Sequence, residues 1–149
     1  MEKPGFVIVG CGRLGTSLGK HLLRAGYPLL GLASKSLSSA EETAKIIGTD
    51  LYCDKAWEIT KGADVIFLTT PDGVISDACR TLVENKGFKK GAIVLHCSGA
   101  HPSTILSADE KSGVFIGSMH PLQSFATKEI EGNPFSGIII SVEGADKAV

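Results

Sequence analysis

Six residues near the start of the chain, Gly10-Cys11-Gly12-Arg13-Leu14-Gly15, constrain its fold more than any other feature. An apolar run, Phe6-Val7-Ile8-Val9, precedes them. Behind them Leu14, Leu18, Leu22 and Ala25 recur on one helical face until Gly26 stops the pattern. The reading is strand, tight turn, helix. In that setting the three glycines differ in what they do. Gly10 permits the turn, Gly12 lets backbone approach a ligand, and Gly15 lets the helix lie close on the strand. Free amide N–H groups and the positive end of the helix dipole then face whatever occupies the turn, which suits a diphosphate.

The rest of the chain repeats the alternation. Strands are expected at Leu29–Ala33, 49–53, 64–70, 92–97, 114–117 and 137–142. Helices are expected from the capping-box pair Ser38 and Glu41 to Ile47, from a cap at Asp54 to Thr60, after Pro71-Asp72-Gly73 to Asn85, and from Pro102 to Lys111. Near-continuous apolar strands such as Val65-Ile66-Phe67-Leu68 suit a parallel sheet covered on both faces. The expected fold class is therefore α/β, a doubly wound, mostly parallel sheet with helices on both faces. Residues 1–142 form the nucleotide-binding unit. The closing Glu143-Gly144-Ala145-Asp146-Lys147-Ala148-Val149 reads as a turn and the opening of a helix that belongs to a truncated or missing second domain.

Composition excludes several classes. A formal net charge of −1 gives no reason to expect a nucleic acid or anionic-lipid partner, and the cluster Lys86, Lys89 and Lys90 reads as a solvated loop. Cys11, Cys53, Cys79 and Cys97 lack zinc spacing and read as reduced, packed thiols, so no metal is expected. Apolar runs are strand-length, and the first strand begins too soon after Met1 for a signal peptide, which makes a cytoplasmic location the expectation. The segment Gly15-Thr16-Ser17-Leu18-Gly19-Lys20-His21 is one residue short of a P-loop and carries His21 where a magnesium-binding hydroxyl is needed.

The end of the second strand discriminates between cofactors. NAD binders place a carboxylate there, about 20 residues past the glycines, to hold the ribose hydroxyls. This chain reads Ala33-Ser34-Lys35-Ser36, with no carboxylate before Glu41. Ser34, Lys35 and Ser36 suit a 2′-phosphate, and Arg13 is available to stack on adenine or join the phosphate clamp, so NADP is favoured over NAD. Chemistry is expected beyond the carboxyl ends of the later strands. Thr70 and Pro71 either wall the nicotinamide or simply end a strand, and Asp72 is equally placed to cap the next helix. His120, read as lying just past a strand end, is either a proton donor and acceptor for hydride transfer or the anchor of an irregular loop; Ser98 is a candidate hydrogen-bonding partner for substrate or carboxamide. His96 and His21 read as structural.

At these segments the chain resembles a known family. The run Val9 to Gly15, the segment Ala33-Ser34-Lys35-Ser36, His96-Cys97-Ser98-Gly99-Ala100 and Ser118-Met119-His120-Pro121-Leu122-Gln123-Ser124-Phe125 resemble an uncharacterised family of Rossmann-like NADP-dependent oxidoreductases. In that family an N-terminal NADP-binding domain precedes a helical C-terminal domain of unknown function. More distantly the chain is similar to pyrroline-5-carboxylate reductase, prephenate dehydrogenase and the deazaflavin-dependent NADP reductases; prephenate dehydrogenases carry a His-Pro pair at a place comparable to His120-Pro121. The resemblance implies the Rossmann fold, hydride exchange between NADP(H) and a small carbonyl, imine or hydroxy compound, and a homodimer formed through the absent helical domain. It implies no particular substrate. A non-catalytic NADP-binding sensory or regulatory module and a deazaflavin-dependent NADP reductase are the alternatives.

Overall fold

The computed structural model describes residues 1–108 and 112–149. Strand β1 (Phe6–Val9) is entirely buried, and its side chains divide between the two faces of the sheet, Phe6 and Ile8 to one and Val7 and Val9 to the other. That division recurs in β4 (Val65–Leu68) and β5 (Ile93–His96) and defines two apolar layers, while β2 (Leu29–Ala33) gives Leu29 and Leu32 to the first. Helix α1 (Arg13–Arg24) covers the first with Leu14, Leu18 and Leu22, and α2 (Leu37–Ile47) adds Ala40, Ala44 and Ile47. The second layer takes Ala56, Trp57 and Ile59 from α3 (Ala56–Thr60) and Ile75, Cys79 and Leu82 from α4 (Ile75–Glu84).

With β3 (Tyr52–Cys53), β6 (Phe115–Pro121) and β7 (Ile140–Gly144), the strands form one seven-stranded sheet in the order β3-β2-β1-β4-β5-β6-β7. All neighbours are parallel except β6 and β7. The fold class is thus the expected α/β sheet with helices on both faces. The strand order reverses between β1 and β4, the position where an open sheet of this kind leaves a crevice beyond its carboxyl ends.

Several boundaries depart from the sequence expectation. The first is the start of α2, where the N-cap is Ser36 rather than Ser38. Ser36 has an extended backbone (φ −95°, ψ 112°), and its hydroxyl accepts from the Ser39 N–H at 3.3 Å, while Ser38 lies inside the helix and bonds the same hydroxyl. Asp54 does not cap α3, which begins after Lys55 without a side-chain cap. In place of the helix expected from Pro102, the residues described up to 108 hold one 3₁₀ turn, Ser103–Ile105, after which Leu106 leaves the helical region with its side chain buried; the expected end at Lys111 lies outside the described residues. The largest departure is at β6, which runs on to Pro121 because β7 returns antiparallel beside it, pairing Met119 with Val142 and His120 with Ser141. His120 therefore lies within a strand, not past its end. Of the lysine cluster, Lys89 pairs with Asp64, whose other carboxylate oxygen accepts the Gly5 N–H. No helix among the described residues is long and apolar enough to cross a membrane.

Candidate nucleotide site

A cleft of about 730 Å³ opens at the point where the strand order reverses, between the turn after β1 and the segment after β4. Gly10 sits in a left-handed conformation (φ +115°), and a Cβ there would lie 2.6 Å from the Thr69 carbonyl carbon and the Thr70 nitrogen, so the two strand ends touch backbone to backbone. The Thr69 hydroxyl donates to the Gly10 carbonyl at 2.7 Å and closes that contact. Gly15 meets the same carbonyl from α1. Gly12 differs: a Cβ there would meet nothing within 4 Å, and the residue lines the cleft. Helix α1 begins at this residue with no side-chain cap and no acidic residue in its first turn, leaving its amide N–H groups and dipole uncompensated.

Nine of the expected cofactor and catalytic residues wall this cleft: Gly10, Cys11, Gly12, Leu14, Ser34, Lys35, Thr70, Pro71 and Ser98. Two features fit an elongated polar ligand with an apolar ring. The Thr70 hydroxyl is buried without a hydrogen-bond partner among the described residues, and Trp57, Val74 and Ala78 contribute apolar lining. Cys11 is packed instead of reactive, since burial pushes its thiol up to about 11 and its S–H donates to the Ala33 carbonyl.

Other expected site residues stand apart from the cleft. Ser36 is occupied as the cap of α2, and the exposed Arg13 has no ion-pair partner among the described residues. Asp54 and Trp57, which sequence reasoning did not assign to the site, join it because β3 pairs with β2 and brings Cys53 beside Ala33. No motif marks them; the pairing of a two-residue strand is the only signal.

His120 is not among the residues that line the cleft and packs on Gly99, next to the cleft-lining Ser98. Its Nδ1 lies 3.2 Å from the Cys97 carbonyl oxygen, and since a carbonyl only accepts, Nδ1 carries the proton and Nε2 is left as an acceptor. The ring fills the space over Gly99, where a Cβ would fall 2.7 Å from Cδ2 and 2.8 Å from Cε1. The Ser98 hydroxyl accepts from the Ala100 N–H at 3.1 Å and retains its own proton for donation toward the cleft. His96, fully buried, receives the Ser98 N–H on Nδ1 and gives its Nε2 proton to the Pro102 carbonyl, so it shapes the loop that carries Ser98.

Glu143 of β7 clamps the same loop. Its carboxylate accepts the Ser103 N–H and the Ser103 hydroxyl, both at 2.7 Å, and these bonds hold its pKa below the ordinary 4.5. A lowered carboxyl pKa contributes stability above 4.5 and loses it as pH falls through the folded value. Thermal melting on going to acid is expected to show a component from this carboxylate that Glu143→Gln removes; equal acid sensitivity in both proteins would contradict the clamp. Among the described residues no group of three or more His, Cys, Asp or Glu side chains is placed to hold a metal ion.

Sheet order, glycine turn and cleft together define a nucleotide-fold domain of the doubly wound class. A profile of the Rossmann-like domain matches residues 3–121, and the chain belongs to that family. No curated protein sequence matches it significantly. Among solved structures, an NADP oxidoreductase of Bacteroides fragilis is 25% identical, with a TM-score of 0.81 over 96% of this chain and 52% of its own. Synechocystis arogenate dehydrogenase is 22% identical, with a TM-score of 0.80 over 97% of this chain and 51% of its own. Aquifex aeolicus prephenate dehydrogenase, solved with hydroxyphenyl propionate and NAD+, is 16% identical, with a TM-score of 0.74 over the whole of this chain and 53% of its own. The last two likenesses are of fold alone. The chain spans about half the length of these neighbours.

Proposed function

We propose that this chain is the NADP-binding domain of an oxidoreductase that exchanges hydride with a small carbonyl, imine or hydroxy compound. The observation that carries the reading is the Gly12 cradle: open space, an uncapped helix N-terminus and a buried, unpartnered Thr70 hydroxyl converge on one cleft. The amides of the turn hold the diphosphate, Ser34 and Lys35 hold the 2′-phosphate, and Trp57 with Ala78 receives the adenine. Bound NADP supplies the hydride acceptor or donor. Ser98 orients the reacting end through its hydroxyl. His120 takes or gives the accompanying proton at Nε2, with Nδ1 held by the Cys97 carbonyl. The remaining half of the protein, by analogy with neighbours twice as long, closes the substrate pocket and forms a homodimer, in the cytoplasm.

One observation favours a second reading. Asp54 lines the cleft together with Lys35, and a carboxylate there suits the free ribose hydroxyls of NAD. Calorimetric titration with NADP and NAD separates them. Lys35→Ala is expected to weaken NADP by about ten-fold to a hundred-fold and leave NAD nearly unchanged, while Asp54→Asn weakens NAD selectively if NAD is the ligand. A preference for NAD that survives Lys35→Ala would overturn the NADP assignment.

A further inference from the structure

We propose that Lys128 and Thr43 are positioning residues that lock the glycine-rich turn in its diphosphate-binding form; the assignment rests on the reading of that turn given above. Neither residue belongs to a nucleotide motif, and they are far apart in sequence. Thr43, on the inner face of α2, is fully buried, as is Thr16 on α1. The Thr16 hydroxyl donates to the Gly12 carbonyl at 2.7 Å, and Thr43 donates to the Cys11 carbonyl at 3.4 Å. The two hydroxyl oxygens are 3.1 Å apart. From the segment between β6 and β7, Lys128 reaches back over α2, donating to Glu42 at 2.9 Å and to the Thr43 hydroxyl at 3.5 Å.

Proton accounting gives the network a direction. An ammonium group only donates, so Lys128 occupies a lone pair of the Thr43 oxygen and turns the Thr43 proton inward. The Gly12 carbonyl only accepts, so it takes the Thr16 proton, and the Thr16 oxygen shares the single Thr43 proton with the Cys11 carbonyl. Every donor then points from Lys128 toward the turn. In a trans peptide the carbonyl and the next N–H point opposite ways, and no cis peptide occurs among the described residues. Holding the Cys11 and Gly12 carbonyls against the threonines therefore aims the N–H groups of Gly12 and Arg13 away from them, to the ligand side. The contacts at 3.4 and 3.5 Å are long and individually weak; the connected set, enclosed between α1 and α2, adds to the Thr16 N–H bond that holds the Gly12 carbonyl at 3.0 Å.

Three variants test this: Thr43→Val, which keeps the shape without the hydroxyl, Thr43→Ser, which keeps the hydroxyl, and Lys128→Met. Amide hydrogen exchange at Thr16, the amide of the turn whose N–H donates to the Gly12 carbonyl at 3.0 Å, is read in the ligand-free protein. Binding is read by titration with NADP and with adenosine 2′-monophosphate, which lacks the diphosphate. Thr43→Val and Lys128→Met are expected to speed exchange in the turn and weaken NADP by about ten-fold. The monophosphate is expected to bind them as it binds wild type, and Thr43→Ser is expected to restore both readouts. Equal loss of both ligands, failure of Thr43→Ser to rescue, or unchanged exchange in the turn would overturn the proposal. A wild-type chain that binds no dinucleotide would sink the functional reading instead, and the exchange measurement would still judge the lock.

Discussion

Gly10→Ala is expected to destabilise the fold by about 3 kcal/mol, whereas Gly12→Ala is expected to leave it within about 0.5 kcal/mol and abolish most nucleotide binding. The contrast follows from what a methyl group would meet. At Gly10 it would stand 2.6 Å from the backbone of Thr69 and Thr70, and the left-handed φ of +115° adds strain of its own. Neither strand end can move aside, because β1 and β4 are paired along their length. Melting should fall by about 6 to 12 °C. At Gly12 a methyl group meets open cleft, so the folded chain tolerates it, but it occupies the space a diphosphate needs. Dinucleotide affinity should drop by about two orders of magnitude. Thermal melting with and without ligand reads both effects in one experiment.

His120→Asn in the full-length protein is expected to lower turnover by about 10²- to 10⁴-fold with little change in dinucleotide affinity. The ring packs on Gly99 beside the cleft-lining Ser98 and is not among the residues that line the cleft, so its loss removes proton transfer and spares cofactor contacts. The pH profile of turnover should lose the limb that the imidazole supplies. Gly99→Ala is an independent check, since its methyl group would displace the His120 ring without altering its chemistry, and turnover should fall in step. Steady-state kinetics that leave turnover unchanged in both variants would reduce His120 to a structural strand residue.

The strands of the first half were legible because they are apolar on both faces, and β1 and β2 fall on the expected residues. Local signals also placed the glycine turn and the left-handed cap at Gly48. What escaped was non-local. Met119, His120 and Pro121 lie past the expected end at Gly117, and β6 continues through them where β7 alone pairs with it. The single turn at Ser103 is tied down by Glu143, 40 residues later, which accepts the Ser103 N–H and hydroxyl. A third strand at 49–53 is expected from the sequence; that its pairing with β2 brings Asp54 and Trp57 to the cleft is not. The capping-box spacing points to Ser38, and the extended backbone at Ser36 puts the cap two residues earlier.

Calorimetric titration of NADP into the wild-type chain and into Gly12→Ala tests the central claim most directly. Saturable one-to-one binding to the wild type, lost in a Gly12→Ala protein that melts like its parent, is the predicted result. Equal binding to both proteins, or none to either NADP or NAD, would contradict the assignment of this turn as a dinucleotide site.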